Sequence, residues 1–326
     1  MTDSEAFVFR IGGRSAPERI PRSKAFDVFT EDAFSGKLTS TKQCPRTVAP
    51  FPKVNPLAGP FAFEGVLEGD VLAIHILELK PTRNWGVSAV SPNFGLLSGT
   101  RANPNLQPQL AEHVWMWQLS EDRTRYTCST PNGNMQVDCQ PFLGTVAVAP
   151  AHGEVRLSIV PGDFGGNLDL PQLGAGTTLY LRANVEGGQL YLGDGHGAQG
   201  DGEICGTAIE IALQSRLAVD RLADSPTFDW PRIETGTHIG VVGCGRPLED
   251  AVRIAVSGLV EWIADISGLN PENAHQFVSQ ACQLRIGNLV NPAFSVLCRI
   301  EKSRLEPCLP VMGDLHRQLA SLATAE

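Results

Sequence analysis

The hydrophobic period of this chain changes about two thirds of the way along, and that change restricts the folds open to it. Up to residue 235, apolar side chains alternate or run continuously in short segments that end at Gly, Pro or Asp, as β-strands do. Beyond Pro247, apolar side chains recur at helical spacing. The sequence predicts a β-rich α+β fold, with a β-sandwich or barrel-like core in residues 1–235 and an α+β C-terminal portion in residues 236–326 packed on it.

The predicted strands share this apolar pattern between turn residues: Phe7–Ile11, Gly69–Leu79, Phe142–Val148, Val155–Ile159, Thr177–Val185, Gln189–Leu192, Gly206–Leu213 and a final Phe294–Ile300 that pairs back onto a sheet. Polar, turn-rich segments are expected to be irregular or to lie at sheet edges: Met1–Glu5, Arg101–Gln109 and Asn132–Gln140. Helices are expected from Pro247, with an apolar stripe between Val252 and Ile266, and from Asn270.

The segment Gly193–Glu203 concentrates two Asp, one Glu and one His among five glycines. Asp194 and His196 are two residues apart, so in extended backbone they project from one face. The same holds for Asp201 and Glu203. Carboxylates and an imidazole on a glycine-rich loop between strands fit a metal site or acid–base chemistry. The alternative is a solvated turn whose Asp side chains cap backbone amides, although unpaired carboxylates this close repel one another unless a cation binds.

Three further features, a glycine pattern, a cysteine and a histidine, are interpreted as structural and not as functional. Residues 195–200 match the dinucleotide pattern Gly-x-Gly-x-x-Gly, but acidic residues follow where a helix N-terminus should bind the pyrophosphate. Cys205 has no Lys nearby, so we interpret it as a structural residue that opens a strand, rather than as a nucleophile. His75, in an apolar strand, is interpreted as a core or sheet histidine.

Several segments resemble the acetamidase/formamidase family: Pro141–Ala151, Gly165–Asp169, Gly176–Leu181 and Gly193–Gly206. The last is similar, almost residue for residue, to the family signature Gly-Asp-x-His-x-x-Gln-Gly-Asp-Gly-Glu. The resemblance implies the same β-rich architecture and the hydrolysis of short linear amides or of cyclic amides such as lactams. It also implies a divalent metal ion, for which we prefer zinc and retain calcium as the second choice.

The resemblance and the chemistry of amide hydrolysis together suggest roles for individual residues. A bound divalent ion can activate water and polarise the amide carbonyl, while a carboxylate transfers the proton. The expected metal ligands are Asp169, Asp194 and His196. The expected catalytic groups are Glu203 as general base, Asp201 as the second choice for it, and Asn167 and Gln199 as donors to the substrate or the oxyanion.

The chain departs from the family pattern at three positions. Phe164 stands where many members carry His, Gln283 where Asp is usual, and Asn288 where Gln is usual. If these residues line the pocket, the substrate is bulkier than formamide. They also leave open an alternative function, a non-catalytic divergent member that binds a small molecule or an ion.

Composition restricts the partners and the compartment. The 26 basic and 35 acidic residues give a net charge of −9 without a basic stripe, which argues against nucleic-acid binding. The acidic N-terminus lacks the apolar region of a secretory signal, and the apolar strand Val71–Leu79 is too short to span a bilayer. Eight scattered cysteines without Cys-x-x-Cys spacing are expected to be reduced. We therefore predict a cytoplasmic protein that binds no membrane, and we expect a homo-oligomer.

Overall fold

β-Strands dominate the computed structural model, which describes residues 7–97, 111–222, 228–305 and 311–324. The strands are β1 (Arg10–Ile11), β2 (Arg19–Ile20), β3 (Ala25–Thr30), β4 (Leu57–Phe63), β5 (Val71–Pro81), β6 (Trp85–Val90), β7 (His113–Leu119), β8 (Arg125–Thr130), β9 (Gly133–Asp138), β10 (Phe142–Ala147), β11 (Arg156–Leu157), β12 (Gly165–Asn167), β13 (Thr177–Arg182), β14 (Leu190–His196), β15 (Leu213–Leu222), β16 (Arg232–Glu234), β17 (His238–Gly245), β18 (Gln283–Asn288) and β19 (Phe294–Glu301). The α-helices are α1 (Pro45–Val48), α2 (Leu248–Ser267), α3 (Pro271–Ala281) and α4 (Leu315–Ala320).

The described strands form four sheets. The largest has eight strands in the order β18-β19-β17-β16-β13-β5-β15-β3, and the next has five in the order β12-β10-β14-β4-β2. A four-stranded sheet, β6-β7-β8-β9, and the pair β1-β11 complete the set. Neighbouring strands in the eight-stranded sheet are antiparallel, whereas β2 and β4 pair in parallel.

The two faces of the eight-stranded sheet pack on different partners, which gives the molecule three layers. Leu72, Ile74 and Ile76 of β5 belong to a core shared with residues of the five-stranded sheet. Val71 and Ala73, on the same strand, belong to a second core shared with α2, α3 and α4. Because successive side chains of a strand point to opposite faces, one face of the sheet packs on another sheet and the other face on helices.

Helix α2 packs closely on β17. Its buried residues recur at helical spacing and are Ala251, Ala255, Leu259, Trp262 and Ile263. The backbones approach so closely that a Cβ at Gly243 would lie 2.2 Å from the carbonyl oxygen of Ala251, so only glycine fits there. No helix in the described ranges is both long and apolar enough to cross a membrane.

This architecture confirms the predicted β-rich α+β class and the sandwich with an α+β C-terminal portion. Within the described residues the core is a layered sandwich, and no sheet closes into a barrel. The eight-stranded sheet continues across residue 235, from β16 to β17. The division into residues 1–235 and 236–326 stays a prediction.

The prediction of a strand over Gly206–Leu213 is wrong for most of its length. Regular pairing begins only at Leu213, the first residue of β15, and Glu210 before it forms isolated bridges with Val87 and His196. The apolar side chains of this segment are buried, but its backbone lies between two strands and does not pair continuously with either. Cys205 therefore does not open a strand; it is an exposed free cysteine in the loop that precedes this segment.

Other predicted segments are confirmed only in part. In Val155–Ile159, pairing is limited to Arg156–Leu157 of β11. Asn132–Gln140, expected to be irregular or at an edge, contains β9 at the edge of the four-stranded sheet. Met1–Glu5 and Arg101–Gln109 lie outside the described residues.

A buried histidine pair joins β5 to the C-terminal helix α4. His75 Nδ1 and His316 Nδ1 each lie 2.8 Å from the Thr178 hydroxyl, and the two rings meet edge to face with centroids 5.3 Å apart. Burial and the neighbouring His316 lower the pKa of His75 to about 4. Burial, Lys302 and Arg317 lower the pKa of His316 to about 4. The interpretation of His75 as a core histidine agrees with this placement.

We expect the histidine pair to make the fold sensitive to acid. The unfolded chain binds protons near pH 6.5 and the folded chain only near pH 4, so stability is lost as the pH falls between these values. His316→Asn should flatten the decline of the melting temperature between pH 7 and pH 4.5. The exposed His275→Asn is the matched control and should follow the wild type. Equal slopes for His316→Asn and the wild type would contradict this account.

Candidate active site

The acidic segment that was predicted as a loop begins as a strand. β14 is the central strand of the five-stranded sheet and pairs with β10 and β4. It carries Asp194 and His196, both of which are buried. Their side chains meet, with His196 Nε2 3.4 Å from Asp194 Oδ2. The Phe142 ring and the imidazole meet edge to face, with centroids 4.8 Å apart.

Gly144 of β10 makes room for two carboxylates. Its carbonyl oxygen accepts a hydrogen bond of 3.1 Å from the backbone N–H of Asp169, which follows β12. A Cβ at Gly144 would lie 2.7 Å from Asp194 Oδ2 and 2.9 Å from Asp169 Oδ1. Any larger residue would therefore push the two carboxylates apart.

Two glutamates complete what we call the acidic cluster: Asp169, Asp194, His196, Glu203 and Glu210. Glu203 lies in a turn beyond β14, and its carbonyl oxygen accepts a hydrogen bond of 2.8 Å from Gly206 N. Glu210 Oε1 accepts from Ala208 N over 2.9 Å, and Glu210 Oε2 lies 3.3 Å from His196 Nε2. All five side chains are buried.

Glu210 is a member of the cluster that was not predicted from the sequence. It lay inside a segment taken for an ordinary strand, and no family motif marked it. One signal was available, because Glu210 is the sole charged residue in the run Ala208-Ile209-Glu210-Ile211-Ala212. A carboxylate buried among apolar residues needs a partner, and such residues are candidates for function.

Two overlapping sets within the acidic cluster have the spacing of metal ligands. Ligand atoms of Asp169, His196 and Glu203 lie within 4.8 Å of one another, and so do those of Asp194, His196 and Glu210. In the described part of the chain, no hydrogen-bond partner exists for Asp169 Oδ1, Asp194 Oδ1, Glu210 Oε2 or either ring nitrogen of His196. Buried polar atoms are nearly always paired, so the carboxylate oxygens and the unprotonated ring nitrogen of His196 are the electron-pair donors that a cation would require.

The electrostatics of the cluster reflect burial and like charge. Burial raises the pKa of Asp169 well above its usual range, and Asp194 raises it further. Burial also raises the pKa of Glu203, with Asp169 adding to it, and raises the pKa of Glu210 to about 7. Burial lowers the pKa of His196, but the charges of Glu210 and Asp194 outweigh burial and raise it well above its usual range. The cluster thus favours any species that adds positive charge.

Three acids of the cluster have backbone in the left-handed region. The φ angles are 49° for Asp169, 57° for Asp194 and 48° for Glu203. Residues other than glycine rarely adopt this conformation, and they do so mainly where the surrounding structure enforces it. The carboxylates are therefore aimed at one another by backbone conformations that glycine would adopt more easily.

Amide and hydroxyl side chains hold Asp169 in position. Asn291 Nδ2 donates to Asp169 Oδ2 over 2.6 Å, and Asn167 Nδ2 donates to the same oxygen over 3.1 Å. The Thr145 hydroxyl donates to Asn167 Oδ1. Neither Asn291 nor Thr145 was predicted as a site residue. Asn291 follows β18, so the C-terminal portion contributes directly to the site.

The structure places Gln199 and Asp201 beside the cluster rather than in it. Gln199 Nε2 donates to the carbonyl oxygens of Asp169, over 2.7 Å, and of Gly287, over 3.0 Å. Asp201 is at the surface, where Arg285 donates to its carboxylate over 3.0 Å. Asp201 and Glu203 therefore do not share a face, because the turn between them directs one carboxylate outward and the other inward.

The three departures from the family pattern do not line one pocket. Phe164 is buried in the core between the sheets. Gln283 is exposed on β18 and accepts a hydrogen bond from Arg299 Nε over 3.1 Å. Asn288 is fully buried next to the site, where its Nδ2 lies 3.1 Å from Ser295 Oγ. Phe164, Gln283 and Asn288 do not border the two cavities described next, and their expected effect on substrate size stays a prediction.

Two cavities border Glu203. The inner cavity, of about 230 Å³, also touches Asp194, Glu210 and Asn167. The outer groove, of about 920 Å³, is more open and reaches Gln199, but it touches no member of the acidic cluster except Glu203. The inner cavity is therefore the place where a small molecule can meet most of the cluster.

Comparison with known proteins relates the chain to one family. Residues 151–297 match the profile of the acetamidase/formamidase family, and this range contains the whole acidic cluster. A formamidase of Methylophilus methylotrophus is 44% identical over 218 residues, which are 53% of this chain and 53% of that protein. The chain spans about half the length of the curated relatives it matches.

Solved structures extend the likeness to nearly the full chain. The crystal structure of an acetamidase from Yersinia enterocolitica is 35% identical, with a TM-score of 0.86, and the match covers 92% of this chain and 90% of that one. An acetamidase structure from Bacillus halodurans is 29% identical, with a TM-score of 0.83 and coverage of 94% and 98%.

Proposed function

The chain belongs to the acetamidase/formamidase family, and we propose that it is an amidase that hydrolyses a small linear or cyclic amide with the help of a divalent metal ion. The observation that carries the proposal is the acidic cluster, in which several buried oxygen and nitrogen atoms lack hydrogen bonds and three carboxylates border the inner cavity. The relatives named formamidase and acetamidase support amide hydrolysis as the reaction.

The donor set of the cluster fits a divalent ion. We assign Asp169, Asp194, His196 and Glu210 as the residues that would hold it. Carboxylate oxygens combined with an imidazole nitrogen suit zinc, whereas calcium takes six to eight oxygen ligands, so we prefer zinc. When bound, such an ion would polarise the amide carbonyl and make a water molecule more acidic.

Glu203 is positioned to move the proton. It borders the inner cavity and the outer groove, so its carboxylate is reachable by substrate and water. We assign it the role of accepting a proton from water and delivering a proton to the amide nitrogen as the C–N bond breaks. Asp201 is the weaker choice, because it is paired with Arg285 at the surface.

Asn167 and Gln199 have different roles in this proposal. Asn167 borders the inner cavity, and only one of its amide N–H groups is used by Asp169, so the other can donate to the substrate carbonyl. Gln199 uses its amide nitrogen on two backbone carbonyls and is a positioning residue for Asp169.

Metal analysis combined with an activity screen tests the proposal. We expect purified protein to contain a divalent metal and to release ammonia from simple amides, with lactam opening followed by chromatography. A chelator should abolish both activities and lower the melting temperature, because an ion bound only by the folded state stabilises it. Zinc should restore them. Full activity in metal-free protein would overturn the metal assignment, and a metal-loaded protein inactive on every amide would support the non-catalytic alternative.

Two further predictions belong to this proposal. We expect a homo-oligomer, which size-exclusion chromatography with light scattering would reveal. We also propose that the protein is cytoplasmic. We expect no nucleic-acid partner, because the net charge is −9 and the sequence has no basic stripe.

A further inference from the structure

Much of the inner cavity is lined by apolar side chains from outside the family signature. The main ones are Ala33, Phe34, Ala49, Val54, Phe94 and Ile159. They come from the segments between β3 and β4, between β6 and β7, and after β11. Ala33, Phe34 and Ala49 also belong to a small core that includes residues of β6 and β7, so this part of the wall is fixed by packing.

Among the described residues, the wall of the inner cavity offers no unpaired cation to an anionic substrate. Among the described residues that line the inner cavity, Arg46 is the one cation, and its guanidinium pairs with Glu112 Oε2 at 3.3 Å. Asp194, Glu203 and Glu210 border the same cavity. A carboxylate on the acyl part of a substrate would therefore be desolvated against apolar groups and repelled by acids.

The inner cavity is larger than the simplest amides require. A volume of about 230 Å³ corresponds to about seven or eight water molecules at roughly 30 Å³ each. Acetamide has four non-hydrogen atoms and formamide has three, so each would leave apolar wall in contact with water. A substrate that fills the cavity gains the free energy of covering that wall.

We propose that the substrate is a primary amide whose acyl part is an uncharged, compact hydrocarbon group, either a branched alkyl group or a phenyl ring. This inference rests on the proposed amidase function. The amide group lies against Glu203 and Asn167, and the hydrocarbon lies against the wall formed by Phe34, Ala49 and Val54. Ala49 and Val54 set the size limit, because small or medium side chains there leave the space that the hydrocarbon occupies.

A series of amides tests this specificity. The zinc-loaded enzyme is assayed for ammonia release from formamide, acetamide, 2-methylpropanamide and benzamide. We expect kcat/KM for one of the two larger amides to exceed that for acetamide by ~10-fold or more, since each methylene in an apolar pocket contributes ~10–200-fold. Ala49→Leu should lower the ratio of kcat/KM for the larger amide to that for acetamide by at least ~10-fold.

Two further variants keep the result interpretable. Val54→Ala should raise kcat/KM for a 4-alkylbenzamide relative to that for acetamide. This test does not require Ala49→Leu to fold. Melting curves show whether Ala49→Leu folds. Val137→Phe fills the outer groove and not the inner cavity, so it should leave the selectivity ratio unchanged. Highest kcat/KM for formamide or acetamide, or a selectivity change in Val137→Phe alone, would overturn the inference. Lactam opening without ammonia release from any primary amide would also overturn the inference, whereas failure on primary amides and lactams alike would overturn the proposed function.

Discussion

Glu203→Gln should lower kcat by about 10²–10⁴ while the protein keeps its metal. The substitution preserves size and hydrogen bonding, but an amide cannot accept the proton of water. The buried carboxylate of Glu203 borders the inner cavity, where a general base must lie to reach the water molecule. Single-turnover or steady-state ammonia release, measured beside the metal content of the same preparation, gives both quantities.

Asp201→Asn is the matched control for Glu203→Gln. It removes a carboxylate two residues away that points to the surface and pairs with Arg285. Surface ion pairs contribute little, so kcat should stay within a few-fold of the wild type. A large loss in Asp201→Asn with a small loss in Glu203→Gln would exchange the two roles. Loss of metal in Glu203→Gln would make Glu203 a ligand, as the set Asp169, His196 and Glu203 allows.

His196→Ala should abolish metal binding and activity together. Its imidazole is common to both sets of ligand-spaced residues, and neither ring nitrogen has a hydrogen bond within the described structure. Losing a ligand should weaken metal affinity by more than the roughly 10–100-fold typical of residues that only orient ligands. Metal titration of the chelated protein, followed by ammonia release at saturating metal, separates affinity from turnover.

The control for His196→Ala is a variant of equal size change away from the cluster, His238→Ala, on a half-buried strand end. It should keep metal and activity. If His196→Ala retains both as well, His196 is a packing residue against Phe142 rather than a ligand. Circular dichroism of both variants identifies any loss of fold.

Local patterns predicted the class of fold because they depend on neighbours in sequence. The spacing of Ala255, Leu259 and Ile263 predicted α2, and the apolar run in β5 predicted a strand, of which the structure buries both faces. The predicted strand boundaries were wrong where pairing with distant segments determines them. Glu210 forms isolated bridges with Val87 and His196, more than a hundred and about a dozen residues away, and no local period encodes such contacts.

The part of the candidate site that lies within one sequence motif could be predicted. Asp194, His196 and Glu203 lie within ten residues, and the structure brings them together with Asp169. Asn291 could not be found this way, since it reaches Asp169 across 122 positions of sequence. Phe164, next to the motif Gly165–Asp169, packs in the core, and its expected effect on substrate size stays a prediction.

The left-handed backbone at Asp169, Asp194 and Glu203 has a consequence for protein engineering. At each of these positions glycine would relieve conformational strain, and removing a carboxylate would relieve repulsion within a buried cluster. In the metal-free protein, the most stabilising substitutions in this region are therefore those that destroy the site. A screen that rewards thermal tolerance alone would drive this family member toward a well-folded and inert protein, so any such screen must select for turnover at every round.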